Sequence, residues 1–178
     1  MAISKILNMK DCGGHFHGKH LKRALDYVMN PDKTQDGRLV GAINCQVDTA
    51  FEQMKETKRN FGKIDKRQGY HIILSFKENE VNPDTAFEIT QKFVEEYLGK
   101  SYEAVFVVHD NTAHVHSHIV FNSVSFVDGQ SISSLSRTGC VRNMDSPLLM
   151  WMMRKRRGST KAIRNGVSTG RVILYGPI

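Results

Sequence analysis

The sequence predicts an α+β fold, a mostly antiparallel central sheet with helices packed on one side of it, in the order β α β α β α β β. Three observations carry this. Apolar residues recur at helical spacing in three segments, each bounded by Gly, Pro, Asn or Asp. Short apolar or alternating runs lie between those segments, as strands do. The two strongest runs, EAVFVVH (103–109) and HVHSHIVFNSVSF (114–126), are separated only by the turn text DNTA, so they should pair as an antiparallel hairpin.

Taken in order, AISKILN (2–8) alternates well enough for a first strand, and the loop DCGGHFHG follows, marked by paired glycines. Leu21, Ala24, Leu25 and Val28 then share a helical face, and Pro31 stops the helix because the residue before a proline is pushed out of the helical region. After the loop PDKTQDG, LVGAINC (39–45) reads as a short strand. Asp48 can cap a helix reaching about Phe61, with Phe51, Met54 and Phe61 as buried positions and Gly62 as its stop. GYHIILSF (69–76) is a central strand. NPDTAFEITQKFVEEYLG is a helix opened by Pro83 and closed by Gly99, with Phe87, Thr90, Phe93 or Val94, and Tyr97 along its stripe. The hairpin follows, and VDGQ begins another turn. There is no internal repeat.

At 178 residues and 40% hydrophobic content the chain suffices for one domain with a real core. No apolar run approaches the ~20 residues a membrane span needs. The opening MAISKILNMKD lacks the apolar stretch and cleavage site of a signal peptide. Cys12, Cys45 and Cys140 are too few and too scattered for a disulfide framework, which points to a reducing cytoplasm. The formal charge of +7 is unevenly placed: residues 131–178 hold nine Lys or Arg against one acid, and residues 1–130 hold sixteen against seventeen. Basicity therefore belongs to the tail, and the function of the body has to come from its motifs.

Four of the eight histidines fall within HDNTAHVHSH (109–118). Side chains alternate across a strand, so His114, His116 and His118 share a face that Val120 and Asn122 continue. If the DNTA turn sets residue 109 opposite 114, His109, Val105 and Val107 join that face, and Val115, Ile119 and Phe121 point to the other. Clustered imidazoles repel once protonated, so the arrangement calls for a cation or a phosphate to offset it. Two chemistries compete. Three imidazoles with open positions suit a divalent metal acting on a phosphate oxygen. HVHSHIV also resembles the signature of the histidine-triad nucleotide hydrolases, although Ser117 stands where that family has an apolar residue and His109 has no part in it. Metal-assisted cleavage needs a nucleophile. Tyr27, beside the apolar stripe of the first helix with Arg23 and His20 at i−4 and i−7, is the candidate.

ALDYVMNPDKT, NC at 44–45, GYHIILSF and HDNTAHVHSHIVFNSVSF together resemble the relaxase/mobilization nucleases, the HUH-type single-strand endonucleases of conjugative plasmids and integrative elements. The resemblance covers residues 1–130, a nuclease domain, and leaves 131–178 as a divergent basic tail, truncated or poorly ordered. It implies a metal-dependent transesterase. Tyr27 would nick an origin of transfer and remain on the 5′ phosphate; His109, His116 and His118 would hold the metal, Mg²⁺ or Mn²⁺ in use and Zn²⁺ or Ni²⁺ as alternatives. It further implies single-stranded DNA, accessory mobilization proteins and a conjugative coupling protein as partners. His114, Asn122, Asp110, His71, Lys33, Arg23 and His20 are candidates for orienting a ligand or contacting DNA. Where the family usually has Asp two residues after the first His, this chain has Asn111, with Asp110 one position earlier. A truncated fragment that binds DNA without nicking it is the non-enzymatic alternative. Two readings of the tail stand side by side. It grips the DNA backbone, or it is translated intron, since codons for Gly139, Cys140 and Val141 can spell GTGCG, the start of a group II intron. A helix over 146–154 is expected within it.

Overall fold

The computed structural model describes residues 3–9, 18–112, 114–132 and 172–174. The elements follow the expected order: β1 (Ile3–Met9), α1 (Lys19–Val28), β2 (Val40–Ile43), α2 (Ala50–Asn60), β3 (Gly69–Ser75), α3 (Pro83–Tyr97), β4 (Ala104–His109), β5 (His116–Asn122) and a further strand, β6 (Val172–Leu174). All pairings are antiparallel, in the spatial order β1-β3-β5-β4-β2-β6. The histidine-rich strand β5 therefore lies inside the sheet, between β3 and β4. The supposed helix over 146–154 falls outside the described residues, as do His15 and His17.

Local chemistry explains the boundaries. α1 starts from Gly18, whose φ of 92° suits a residue without a Cβ. It ends at Val28, and Pro31 then opens a short 3-10 turn capped by Asn30, whose side chain accepts from the Asp32 amide at 3.0 Å. α3 is capped in the same way, with the Asn82 side chain accepting from the Thr85 amide at 2.7 Å and Pro83 in the first turn. α2 begins one residue later than Asp48 would cap, at Thr49, and turns off at Gly62 with φ of 61°.

The sheet is covered on both faces, which corrects the expectation of helices on one side. α3 lays Ala86, Ile89, Phe93 and Val94 against Ile72, Leu74, Phe106, Val108, Ile119 and Phe121. α1 and α2 lay Leu21, Leu25, Val28, Ala50 and Met54 against Val40, Ala42, Val105, Val107 and Val120. Each amphipathic helix announces that it must bury a stripe, but not against which face of the sheet. β5 shows the result: Ile119 and Phe121 face α3, while His118, Val120 and Asn122 face α1 and α2. Ser117 is polar because it meets α3 at Thr90, the two hydroxyl oxygens 2.6 Å apart. Phe61, expected in the core, is 37% exposed, because it caps the end of α2 rather than sitting on its buried stripe.

Candidate functional site

The hairpin register differs by two residues from the assumed one. His109 pairs with His116, not with His114, and His118 lies opposite Val107 on one side and Ile73 on the other. A shift of two leaves every side chain on its face, whereas a shift of one would have turned them all over. His109, His116 and His118 therefore do share the α1/α2 face, and His71 of β3 joins them there, diagonal to His118 through its partner Val120.

The rings fall into a contiguous row. Those of His109 and His118 are 4.4 Å apart, centroid to centroid, and those of His118 and His71 are 5.1 Å apart. His71 Nε2 lies 2.9 Å from His118 Nδ1. His109 Nε2 donates to the Val28 carbonyl at 2.8 Å, because a carbonyl can only accept. That bond satisfies one of the orphan carbonyls at the end of α1 and leaves Nδ1 of His109 with its lone pair. Among the described residues no hydrogen bond reaches Nε2 of His118 or Nδ1 of His109. His116 stands across from His109 without entering the row, and among the described residues no three His, Cys, Asp or Glu side chains already surround one point that could hold a metal ion.

Burial governs the protonation of these rings. It pushes the His118 imidazolium down to about 3, with neighbouring His109, His71, His116 and Lys33 adding to the shift. Burial, then His109, lowers His71 to about 4. His109 and His116 are also lowered, chiefly by burial. The row is therefore a set of neutral imidazoles at neutral pH, ready to donate lone pairs.

Tyr27 stands over it. The end of α1 carries it past the buried stripe, so its side chain is 53% exposed, and its ring meets those of His109 and His118 edge-on at 6.0 and 6.2 Å. Lys33 in the following turn places its Nζ 4.0 Å from the Tyr27 ring centroid. The other candidates are more dispersed. Arg23 and His20 are exposed on α1. His114 is exposed at the hairpin tip, its carbonyl accepting from Thr112 Oγ1 at 2.7 Å and its ring 6.4 Å from that of His116. Asp110 accepts from Gln35, which is held in turn by Arg38, and Arg38 pairs with Asp84 of α3 at 2.5 Å.

Asn122 lies elsewhere. It is fully buried, accepts from Lys58 Nζ, and donates to the Met54 carbonyl at 3.0 Å and to Glu103 at 2.7 Å, while Thr57 donates to the other Glu103 oxygen at 3.0 Å. This network ties α2 to the sheet and leaves Asn122 no surface for DNA, contrary to that expectation. Sequence reading missed both Gln35 and the Lys58–Glu103 pair. Lys58 is 1% exposed; it continues the buried stripe of Ala50 and Met54 at i+8 and i+4, but a lysine on such a stripe does not by itself announce a buried partner.

Fold and site define an α+β protein that gathers imidazoles on its inner strands against a phenol at the end of its first helix. The family model for relaxases, the MobA/VirD2-like nuclease domain, matches residues 27–139, and the chain belongs to that family. Two proteins called rlx from Staphylococcus aureus are similar to it, one 31% identical over 116 residues and another 30% identical over 134. The group II intron-interrupted relaxase LtrB of Lactococcus lactis subsp. cremoris is 28% identical over 137 residues. These alignments take in 65%, 75% and 62% of this chain but 33%, 38% and 24% of those proteins, so the chain spans about a third of the length of the relatives it matches. Among the described residues no helix is long and apolar enough to cross a membrane.

Proposed function

We propose that the chain nicks single-stranded DNA at an origin of transfer and holds the cut end covalently. Tyr27 is the nucleophile. Its phenolic oxygen attacks phosphorus, the new O–P bond forms as the bond to the 3′ oxygen breaks, and the phenolic proton ends, net, on the released 3′ hydroxyl. The 5′ phosphotyrosine keeps the energy of the ester, so the reverse attack rejoins the strand without a nucleotide cofactor.

The donor set fits a divalent cation. Among the described residues Nε2 of His118 and Nδ1 of His109 meet no hydrogen-bond partner on their neighbouring rings, and His116 is the cross-strand neighbour of His109 on the same face. These three residues would hold the ion, whose charge on a phosphate oxygen would make the phosphorus a better electrophile. Imidazole donors favour Mn²⁺, Zn²⁺ or Ni²⁺ over Mg²⁺, and cellular supply decides among them. Lys33, Arg23, His20 and His114 would contact and neutralise the DNA backbone. Accessory mobilization proteins and a coupling protein would deliver the substrate in a bacterial cytoplasm.

The observation that carries this reading is the half-exposed Tyr27 ring set edge-on to His109 and His118. Incubation with a nick-site oligonucleotide and Mn²⁺ should yield an SDS-resistant DNA–protein adduct, lost in Tyr27→Phe and lost on adding EDTA. An adduct surviving Tyr27→Phe removes Tyr27 from the role. Metal binding without any adduct supports instead a fragment that only binds.

We also propose that residues 1–130 are the nuclease domain and that the reading frame is interrupted near Gly139. The family match ends at that residue, where the codons allow the GTGCG of an intron start, and the Lactococcus relative is named as intron-interrupted. Sequencing the transcript should show a spliced message that continues as relaxase; a message running uninterrupted through the codon of Ile178 overturns this.

A further inference from the structure

We propose that His71 is a positioning residue that accepts the Nδ1–H of His118 on its own Nε2 and so fixes which nitrogen of His118 points away from it. The inference rests on the reading of His118 as a ligand. Nothing but hydrogen-bond chemistry is needed for the step. The two nitrogens are 2.9 Å apart, and His71 is 8% and His118 7% exposed, so the rings hydrogen-bond to each other out of water. One proton therefore lies between them, and its ownership sets both tautomers at once.

If His71 held that proton, His118 would carry its other proton on Nε2 and have no lone pair to offer toward His109 and Tyr27. If His118 holds it, Nε2 is a bare donor on a side where, among the described residues, no hydrogen bond reaches it, and His71 keeps its proton on Nδ1. A ligand histidine whose second nitrogen donates to a fixed acceptor is both oriented and made a better base. The acceptor is usually a carboxylate or carbonyl; here the described groups around His118 supply an imidazole instead. The topology explains how: β3 and β5 are neighbours, and His71 sits diagonal to His118 on one face, within reach for a side chain of this length.

The contact can be judged without metal. In ¹⁵N-histidine-labelled protein, a scalar coupling across the hydrogen bond between the rings of His71 and His118 is expected; its absence overturns the proposal. On adding Zn²⁺, the His118 Nδ1 proton should persist, with Nε2 taking the metal-bound shift; binding through Nδ1 overturns it. Mn²⁺ affinity should fall about 10–100-fold in His71→Ala, and His71→Gln, whose amide oxygen can accept, should recover part of the loss. Unchanged affinity in His71→Ala overturns the proposal. So does the loss of one nitrogen coupling from the Mn²⁺ spin-echo spectrum of that variant, because His71 would then be a ligand itself. A wild-type protein that shows the inter-ring coupling and binds no metal overturns the proposed ligand role of His118 and leaves the contact standing.

Discussion

At the scale of single residues, the molecule separates groups it leaves at the surface, such as Tyr27, from groups it holds in the interior, such as Asn122. Among the described residues the Tyr27 hydroxyl takes part in no hydrogen bond, so Tyr27→Phe should shift stability by no more than about 0.5 kcal/mol, measured as an unchanged melting temperature. Asn122 is the opposite case. It is the hub between Lys58 and Glu103, and Asn122→Ala would leave two buried ionisable groups without their shared partner. A loss of about 3 kcal/mol is expected, a fall of about 6–12 °C in melting temperature for a chain of this size. A fall under a degree would mean that the network reforms without it. Lys58 adds a pH signature, since burial lowers its pKa from 10.5 to about 8. Between those values the unfolded chain holds a proton that the folded one has released, so the cost of burying this charge is in full force below about pH 8 and is relieved as pH rises toward 10.5. Wild type should therefore gain stability relative to Lys58→Met across that interval. A flat difference would show that Lys58 stays charged in the fold.

At the scale of elements, the decisive joints hold helices to strands. The bond from His109 to the Val28 carbonyl fastens the end of α1 to β4, and this brings Tyr27 over the imidazole row. The start of β3 is a second joint. A Cβ on Gly69 would lie 2.7 Å from the Phe121 carbonyl oxygen and 3.2 Å from Leu21 Cδ1 of α1. A backbone atom inside the sheet cannot step aside as a side chain can, so Gly69→Ala should cost about 1–3 kcal/mol in chemical denaturation; a neutral result would show that β3 can shift against β5. The hairpin illustrates what the sequence leaves open at this scale. Text such as DNTA promises a tight turn but does not fix its length. Alternation constrains register only modulo two, so the face of His109 was legible while its partner, His116 rather than His114, was not. Helix boundaries were legible to within a residue or two because Pro31, Gly62, Asn82 and Pro83 act locally.

At the scale of the whole molecule, charge and chemistry occupy different parts of the chain. Net basicity lies in residues 131–178, whereas the candidate site lies wholly in the body. If the tail touches DNA it does so as diffuse positive charge, and a form ending at Ser134 should bind single-stranded oligonucleotide with a shallower dependence of log affinity on log salt. An unchanged slope would take the tail out of the interface. β6 pairs with β2 at the edge of the sheet, so the tail contributes a strand to the architecture.

The sequence by itself determined the element order, the antiparallel hairpin, the shared face of His109, His116 and His118, and the family. The first three follow from periodicity or from residues close together in the chain, and the family from the resemblance of motifs spread along the body. Only the tertiary structure decided that helices cover both faces of the sheet, that His71 of β3 meets His118, that Tyr27 lies against His109 and His118, and that Asn122 serves the buried Lys58–Glu103 network. Those outcomes depend on contacts between residues tens of positions apart. Their partners are chosen by how the apolar stripes of three helices and the two faces of one sheet can be buried together, and no local pattern records that choice.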